Sequence, residues 1–171
     1  FLEHMLFLGT EPYPESDGYQ RYISNNAGSH NAFTAQQDTN YFFDIEPSAL
    51  PGALDRFSEF FLSPLFNADH LESERNIVHS EYMARIRDES RRENDVLNQL
   101  LNPKNPTTGF AVGSRETLAS PPEGETPLRE RVIDFYHQHY DANVMNLAIV
   151  APQPLDQLET WVAERFAAIP D

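Results

Sequence analysis

The stretch that decides the fold is SHNAFTAQQDTNYFFDI, residues 29–45. Residues 29–35 and 39–45 are rich in aromatic and β-forming side chains, and the polar residues 36–38 lie between them. Two such runs joined by a short polar connection are typical of a β-hairpin. The sequence therefore predicts an antiparallel pair of strands here.

Helical patterns surround this hairpin on both sides. Helices are predicted for six segments: 1–8, 16–26, 47–63, 69–101, 128–140 and 155–168. An apolar run at 145–151 predicts a third strand, and the Gly-, Pro- and Thr-rich stretch 104–127 predicts a long loop. This irregular alternation favours an α+β fold, in which a mixed, partly antiparallel sheet is layered with helices. Because three strands make a thin sheet for so many helices, we expect N-terminal strands to be missing from the printed sequence.

The composition narrows the possible functions. With 171 residues, 40% of them hydrophobic, we expect one domain over residues 1–171. The 27 acidic residues outnumber the 12 basic ones and give a formal charge of -15, which repels polyanions and excludes nucleic acid as a partner. No stretch reaches the roughly 20 apolar residues that a membrane span needs. Because cysteine is absent, His, Asp or Glu must hold any metal.

Two polar neighbours interrupt an apolar helix at the start of the chain. Glu3 and His4 lie within the run FLEHMLFLG at 1–9. A carboxylate on a buried helix needs a partner, because burial without one raises its pKa. Taken alone, the pair is better explained by a helix edge, with Glu3 in water and His4 bonded to a backbone carbonyl.

The long acidic helix carries a second anomaly. Leu71, Glu74, Val78 and Glu81 fall on one helical stripe, so two carboxylates occupy the side that should face the core. Such a pair can present one carboxylate to a metal and the other to an imidazole that binds the same metal. The alternative is a solvated helix face, which is the commoner arrangement for carboxylates on a charged helix.

Together the two anomalies supply most of a zinc hydrolase site. Such a site needs three protein ligands, an open position for water and a carboxylate that removes the proton of that water. The chain offers one His ligand, one Glu ligand, one base and one outer acid. A second imidazole on the face of His4 would lie four positions earlier, just before Phe1. We therefore expect this chain to be part of a longer protein, beginning one residue inside its motif.

Six segments form a recognisable series along the chain. They are FLEHMLFLGT at 1–10, SHNAFT at 29–34, TNYFFD at 39–44, ALDRF at 53–57, ERNIVHSE at 74–81 and NPKNP at 102–106. In this order they resemble the insulysin/pitrilysin family, whose inverted zinc-peptidase motif is H-x-x-E-H; only the first His of that motif is lacking here. The resemblance covers nearly the whole chain.

The resemblance assigns roles to individual residues. It implies that Glu3 is the general base and that His4 and Glu81 bind zinc. It implies that Glu74 is a catalytic-site carboxylate that supports a ligand imidazole. It also implies the fold of the metallohydrolase domain shared by insulysin and mitochondrial processing peptidase.

The first predicted strand also receives a role from the resemblance. Its edge would bind a substrate peptide by β-strand addition, through Asn31, Ala32, Phe33 and Thr34. Without the family, these four residues fit an ordinary half-buried strand.

At the level of the whole protein, the resemblance implies a zinc metalloendopeptidase. Its substrates would be peptides, enclosed with the help of the remaining domains of the parent chain, of which this is part of the first, catalytic one. Since one ligand precedes Phe1, we expect this chain alone to bind little Zn²⁺, to be inactive, and to self-associate through an exposed sheet edge or apolar face. Family members occur in the bacterial periplasm and in the cytosol, so the compartment stays open.

Two other functions stay open. The chain could belong to a non-catalytic member of the same fold that acts as a scaffold or holds peptides. Such members typically lose motif residues, whereas Glu3, His4 and Glu81 are all present. A family peptidase dedicated to maturing a peptide-derived cofactor is the other alternative.

Overall fold

The structure is a computed structural model that describes residues 1–105, 108, 111–119, 122 and 124–171. In these ranges seven helices and two strands follow one another: α1 (Leu2–Leu6), α2 (Gly18–Asn25), β1 (Ser29–Thr34), β2 (Thr39–Asp44), α3 (Leu50–Ser58), α4 (Leu71–Arg85), α5 (Glu89–Asn98), α6 (Leu128–His139) and α7 (Leu155–Phe166). Short 3₁₀ turns lie at Pro47–Ala49, Ala68–His70 and Ala142–Val144. The fold is α+β, as predicted.

The hairpin forms where the sequence predicts it. Strands β1 and β2 are antiparallel, with Ser29 opposite Asp44 and Thr34 opposite Thr39. Side chains alternate along β2, so Tyr41 and Phe43 pack against the core while Phe42 is exposed. One face of the hairpin is therefore covered by helices, and the other faces solvent.

Aromatic rings fill the core between the hairpin and the first helices. The ring of Phe60 lies 5.1 Å from that of Phe7 and 4.8 Å from that of Tyr19. On α1, Met5 and Leu6 are completely buried in the same cluster. Burial of this apolar face fixes α1, and with it the polar neighbours that precede Met5.

A tight turn after α1 ties that helix to a distant segment. Gly9 has φ of +105°, and its carbonyl accepts a hydrogen bond from Leu65 N–H at 3.1 Å. A Cβ at this position would lie 2.8 Å from the carbonyl oxygen of Pro14. Glycine is required here for both conformation and space.

The last two helices join the same body of the protein. On α6, the Tyr136 hydroxyl donates to the Phe60 carbonyl at 3.1 Å, and Arg129 Nε donates to the Phe66 carbonyl at 2.6 Å. Helix α7 packs on α3, where Leu158 closes a second apolar cluster. These contacts bring the C-terminal part of the chain against the hairpin and α3.

The prediction of one continuous helix over 69–101 was wrong. Helix α4 ends at Arg85, and α5 begins after Asp88, whose backbone is extended with ψ of 122°. The Asp88 side chain accepts from the Arg91 N–H at 3.1 Å. An Asp in this role caps a new helix, which is why the charged run is divided in two.

The prediction of a third strand at 145–151 was also wrong for the described part of the chain. Met145 has an extended backbone, but the segment pairs with no described strand, and the sheet formed by the described residues has two strands. Ile149 and Ala151 pack against the second apolar cluster, whereas Val150 is fully exposed. An apolar, extended segment becomes a strand only where a partner offers hydrogen bonds.

Part of the predicted loop 104–127 lies outside the described residues, namely residues 106, 107, 109, 110, 120, 121 and 123. Within the loop, Leu118 N–H bonds to the Ser114 carbonyl at 2.9 Å and closes one turn. None of the helices described combines the length and apolarity needed to cross a membrane.

Candidate metal centre

Helices α1 and α4 bring His4 next to the two carboxylates of the acidic helix, Glu74 and Glu81. His4 Nδ1 lies 3.1 Å from Glu74 Oε2, and His4 Nε2 lies 3.9 Å from Glu81 Oε1. An ionised carboxylate only accepts hydrogen bonds, so Nδ1 donates to Glu74. A neutral imidazole then has its lone pair on Nε2, on the side of Glu81.

The two carboxylates differ in exposure. The side chain of Glu74 is 11% exposed and that of Glu81 is 41% exposed. Glu74 and Val78 are the buried residues of α4, so the stripe predicted from their spacing does face inward. Because a buried carboxylate needs a partner, the imidazole of His4 stabilises Glu74 there, while Glu81 stays open to solvent.

The spacing of His4 and Glu81 fits two ligands of one zinc ion. Two ligand atoms at about 2.0–2.2 Å from a tetrahedral zinc lie roughly 3.4 Å apart. The observed Nε2 to Oε1 distance of 3.9 Å needs only a small adjustment to match. Among the described residues, no group of three or more His, Asp or Glu side chains is arranged to hold a metal.

Phe1, directly before α1, packs against the main hydrophobic cluster.

Glu3 is held by the hairpin. Thr34 Oγ1, at the end of β1, donates a hydrogen bond to Glu3 Oε2 at 2.5 Å. Glu3 and His4 are thus neighbours in sequence that contact different elements, β1 and α4. The predicted base lies directly beside the predicted peptide-binding strand.

One edge of β1 pairs with no described strand. In the turn, Ala35 N–H bonds to the Asp38 carbonyl, and hydrogen-bonded and free positions alternate from there along an antiparallel pair. The backbone groups of Ala32 and Thr34 therefore point away from β2. This edge can accept hydrogen bonds from another extended chain.

The other two predicted substrate residues lie beside this edge. Asn31 Oδ1 accepts from the Ala32 N–H at 2.9 Å and so occupies one donor of the edge. Phe33 is 51% exposed, and its ring lies 6.5 Å from that of Phe42. The four predicted residues form one continuous surface.

Two pairs of hydroxyl groups, which the sequence analysis missed, involve residues of the hairpin. Thr34 Oγ1 and Thr39 Oγ1 are 3.2 Å apart, and the hydroxyls of Tyr41 and Tyr140 are 2.8 Å apart. Burial raises the pKa of both tyrosines, so both are protonated at neutral pH.

The loop around residue 115 supports α4 and was also missed. Arg115 N–H donates to His79 Nδ1 at 3.3 Å, and its guanidinium bonds to the side-chain oxygen of Asn76. In return Arg75 donates to the Arg115 carbonyl at 3.3 Å. No local spacing relates residue 115 to α4, so only the fold reveals this support.

Comparisons with known proteins give a consistent result. A family profile described as "Insulinase (Peptidase family M16)" matches residues 1–107, and one described as "Peptidase M16 inactive domain" matches residues 127–171. The crystal structure of pitrilysin superposes with a TM-score of 0.92 at 37% identity, covering 99% of this chain and 18% of that one.

Curated relatives are similar over the same length. The chain is 41% identical over 170 residues to the insulin-degrading enzyme of Drosophila melanogaster, and 41% identical over 167 residues to the A-factor-processing enzyme of Saccharomyces cerevisiae. It is 40% identical over 170 residues to "Putative zinc protease mug138" of Schizosaccharomyces pombe. These matches cover 97–99% of the chain but only 16–18% of each relative, so the chain spans less than a fifth of their length.

Proposed function

The chain belongs to the insulinase family of peptidases, family M16, and from that membership we propose that the protein containing it is a zinc metalloendopeptidase. Its substrates are peptides or unfolded segments, whose peptide bonds it hydrolyses. The observation that carries the proposal is the placement of His4 between two carboxylates, Glu74 on Nδ1 and Glu81 on the side of Nε2.

In this proposal, His4 and Glu81 hold zinc together with a third ligand from the residue that precedes Phe1. That residue lies four positions before His4, so in a helix its side chain would be on the same face as the imidazole. When bound, zinc supplies Lewis acidity, which polarises a carbonyl and makes a nearby water more acidic. Glu74 holds the imidazole of His4 in the orientation that leaves Nε2 free to bind.

Glu3 acts as the general base. Its Oε2 accepts the hydrogen bond from Thr34, which leaves Oε1 free to take a proton from the attacking water. The same carboxyl group then returns the proton to the leaving amine. Glu3 is half-buried beside the hairpin, so substrate and water can reach its carboxylate.

The substrate lies along β1. Ala32 and Thr34 offer backbone hydrogen bonds to an extended peptide, and Phe33 offers an exposed apolar contact. Because the Ala32 N–H donates to Asn31 Oδ1 in the free chain, a bound peptide competes with this side chain for the donor. Peptides whose scissile region can adopt an extended conformation are therefore the expected substrates.

We further propose that the chain is one folding unit and part of a catalytic domain. The packing of α6 and α7 onto the first half of the chain supports this. The remaining domains of the parent protein complete the site and its substrate contacts. The 171 residues alone are expected to bind zinc weakly, to lack activity, and to self-associate through exposed apolar residues such as Leu147 and Val150.

The full-length protein provides the test. We expect it to contain zinc, to cleave unfolded peptides as detected by mass spectrometry, and to lose that activity with a chelator and regain it with zinc. Glu3→Gln should lower kcat by about 10²–10⁴-fold, because general base catalysis contributes that much. Glu11→Gln is the control, because Glu11 is an exposed carboxylate in the loop that follows α1.

Two results would overturn the proposal. One is cleavage that a chelator leaves unchanged, and the other is a Glu3→Gln variant as active as the wild type. A wild-type protein that binds peptides but does not cleave them would instead support a peptide-holding role.

A further inference from the structure

We propose that the side chain of Thr34 is a positioning residue for Glu3, and that Thr39 supports it from the neighbouring strand. The inference rests on the proposed function, since Glu3 is the base of that reaction. It goes further than that function because it gives the Thr34 hydroxyl a role separate from that of the Thr34 backbone, and because it gives Thr39 a role of its own.

Thr34 faces the base and the free edge of β1 at the same time. Its Oγ1 donates a hydrogen bond to Glu3 Oε2 at 2.5 Å. Its backbone N–H and C=O point away from β2, because Thr34 and Thr39 form a non-hydrogen-bonded pair of the ladder. A peptide bound along this edge would therefore contact the backbone of the same residue whose side chain holds Glu3.

The register of the hairpin produces this arrangement. Residues opposite each other in an antiparallel pair have their side chains on one face, and those of a non-hydrogen-bonded pair lie closest together. Thr34 is opposite Thr39, and Tyr41, two positions beyond Thr39, packs against the core. The Thr34 side chain thus lies on the face of the hairpin that the helices cover, where α1 contacts β1.

Thr39 supplies the second contact of the Thr34 hydroxyl. The Oγ1 atoms of Thr34 and Thr39 are 3.2 Å apart. A carboxylate only accepts, so the single hydroxyl proton of Thr34 is used on Glu3, and Thr39 is the donor between the two threonines. A donor behind Thr34 polarises its hydroxyl and strengthens the bond to Glu3. One accepted and one donated bond therefore fix the orientation of the Thr34 hydroxyl.

The bond from Thr34 restricts the carboxylate of Glu3. With Oε2 held, Oε1 keeps a defined direction relative to the edge of β1, and so relative to a peptide bound there. Without the Thr34 hydroxyl, the carboxylate rotates more freely, and a smaller fraction of molecules has Oε1 directed at the attacking water. A catalytic group misplaced by about 1 Å can lower a rate by as much as about 10²-fold.

Steady-state kinetics of the full-length protein test this role. Thr34→Val replaces the hydroxyl with a methyl group and should lower kcat by about 5- to 20-fold, because the base loses its alignment. KM should change by less than about 2-fold, since the backbone of the peptide-binding edge is retained. Thr34→Ser keeps the hydroxyl and should hold kcat within about 2-fold of the wild type. A loss of packing alone would not be rescued in this way.

Thr39→Val tests the support from the second strand. It removes the donor behind Thr34 but leaves the bond from Thr34 to Glu3 in place. We expect kcat to fall by about 2- to 5-fold, which is less than in Thr34→Val. Thr39→Ser retains the donor and should keep the kcat of the wild type.

A double substitution separates a role that acts through Glu3 from a general effect on the hairpin. In Glu3→Gln the base is already absent, so adding Thr34→Val should change the residual kcat by less than about 2-fold. A residue that only stabilised the hairpin would lower kcat by the same factor in both backgrounds.

Ser29→Ala is the matched control. Ser29 lies at the other end of β1, and its hydroxyl donates to Asp44 Oδ2 at 2.9 Å across the same hairpin. The substitution removes a bond from a hydroxyl to a carboxylate on the same strand, but it does not involve Glu3. We expect it to keep the kcat of the wild type.

Zinc content gives a readout independent of activity, and Thr34→Val should retain the zinc content of the wild type. An unchanged kcat in Thr34→Val, an equal loss in Ser29→Ala, or equal factors in the wild-type and Glu3→Gln backgrounds would overturn the positioning role. If the wild-type protein cleaves no peptide, the proposed function fails. If it cleaves peptides and Thr34→Val retains the wild-type kcat, only the positioning role fails.

Discussion

His4 Nδ1 lies 3.1 Å from Glu74 Oε2, a contact that joins the first helix to the fourth across 70 positions of sequence. Glu74 is nearly buried, and the imidazole is its hydrogen-bond partner. The contact therefore does two things: it stabilises a buried charge, and it fixes which nitrogen of the imidazole carries the proton. This contact, the turn at Gly9, the buried tyrosine hydroxyls and the buried ring of His30 each lead to a prediction that can be tested in the full-length protein.

Glu74→Ala should weaken zinc binding by about 10- to 100-fold, since outer carboxylates typically contribute that much to metal affinity. Chelator competition measures the change. Glu74→Gln keeps an acceptor for Nδ1 but loses the charge, so its affinity should lie between those of Glu74→Ala and the wild type. Glu72→Ala, an exposed carboxylate on the same helix, should leave zinc affinity unchanged. Equal effects of the substitutions at 72 and 74 would contradict the role of Glu74.

Gly9→Ala should destabilise the protein by about 2–4 kcal/mol, because it adds a close contact to the strain of positive φ. The control is Gly124→Ala, where φ is +97° and a Cβ would meet nothing within 4 Å. Backbone strain alone should cost that variant about 1–2 kcal/mol. Thermal unfolding compares the two, and equal melting temperatures would show that the contact with the Pro14 carbonyl has no effect.

Tyr19→Phe should leave the stability unchanged or raise it by up to about 1 kcal/mol, because the buried Tyr19 hydroxyl has no hydrogen-bond partner among the described residues. Tyr136→Phe should lower it by about 1–2 kcal/mol, since that hydroxyl bonds to the Phe60 carbonyl. Chemical denaturation of both variants measures the difference. A larger loss in Tyr19→Phe than in Tyr136→Phe would contradict the assignment of partners.

At pH values below about 6.5, the free energy of unfolding should decrease, and His30 should account for part of the decrease. Its ring lies 5.3 Å from those of Phe7 and Tyr19, and burial lowers its pKa. The unfolded chain therefore binds a proton at a higher pH than the folded one. The contribution of neutral His30 to stability is fully present above about pH 6.5, the pKa of an unfolded histidine. It is lost as the pH falls toward the lowered pKa of the folded state.

Melting temperatures between pH 5 and 8 measure this contribution. His30→Gln should flatten the acid limb of the curve relative to the wild type. His137, exposed on α6, supplies the control substitution His137→Gln. A wild-type slope retained in His30→Gln would assign the acid sensitivity to other groups.

Much of the local structure could be predicted from the sequence. The hairpin was predicted because two runs rich in aromatic and β-forming residues flank a short polar connection, and β1 and β2 lie within the predicted segments. The break between α4 and α5 was missed, although Asp88 is a residue type that caps helices, because the helical charge pattern continues on both sides of it. A capping residue inside such a pattern competes with helix continuation, and the local sequence does not show which prevails.

The candidate site divides in the same way. The positions of Glu74 and Glu81 on one stripe of α4 follow from the period of the helix, but the sequence left open whether that stripe faces the core or the solvent; in the structure Glu74 is buried. From spacing alone, the carboxylate that would contact Nδ1 stayed undecided. The crossing of α1 over α4 decides it, because Glu74 lies beside Nδ1 and Glu81 lies on the side of Nε2.

The sequence by itself determined the elements whose signals are local: the hairpin, the apolar faces of the helices and the polar residues that interrupt them. The tertiary structure alone decided contacts between residues that no period relates, such as Tyr41 with Tyr140 and Thr34 with Glu3. Local patterns record which face of an element is buried. They do not record which hydroxyl or carboxylate will lie within 3 Å once α1, α6 and the hairpin pack together, because that depends on the packing of the whole core.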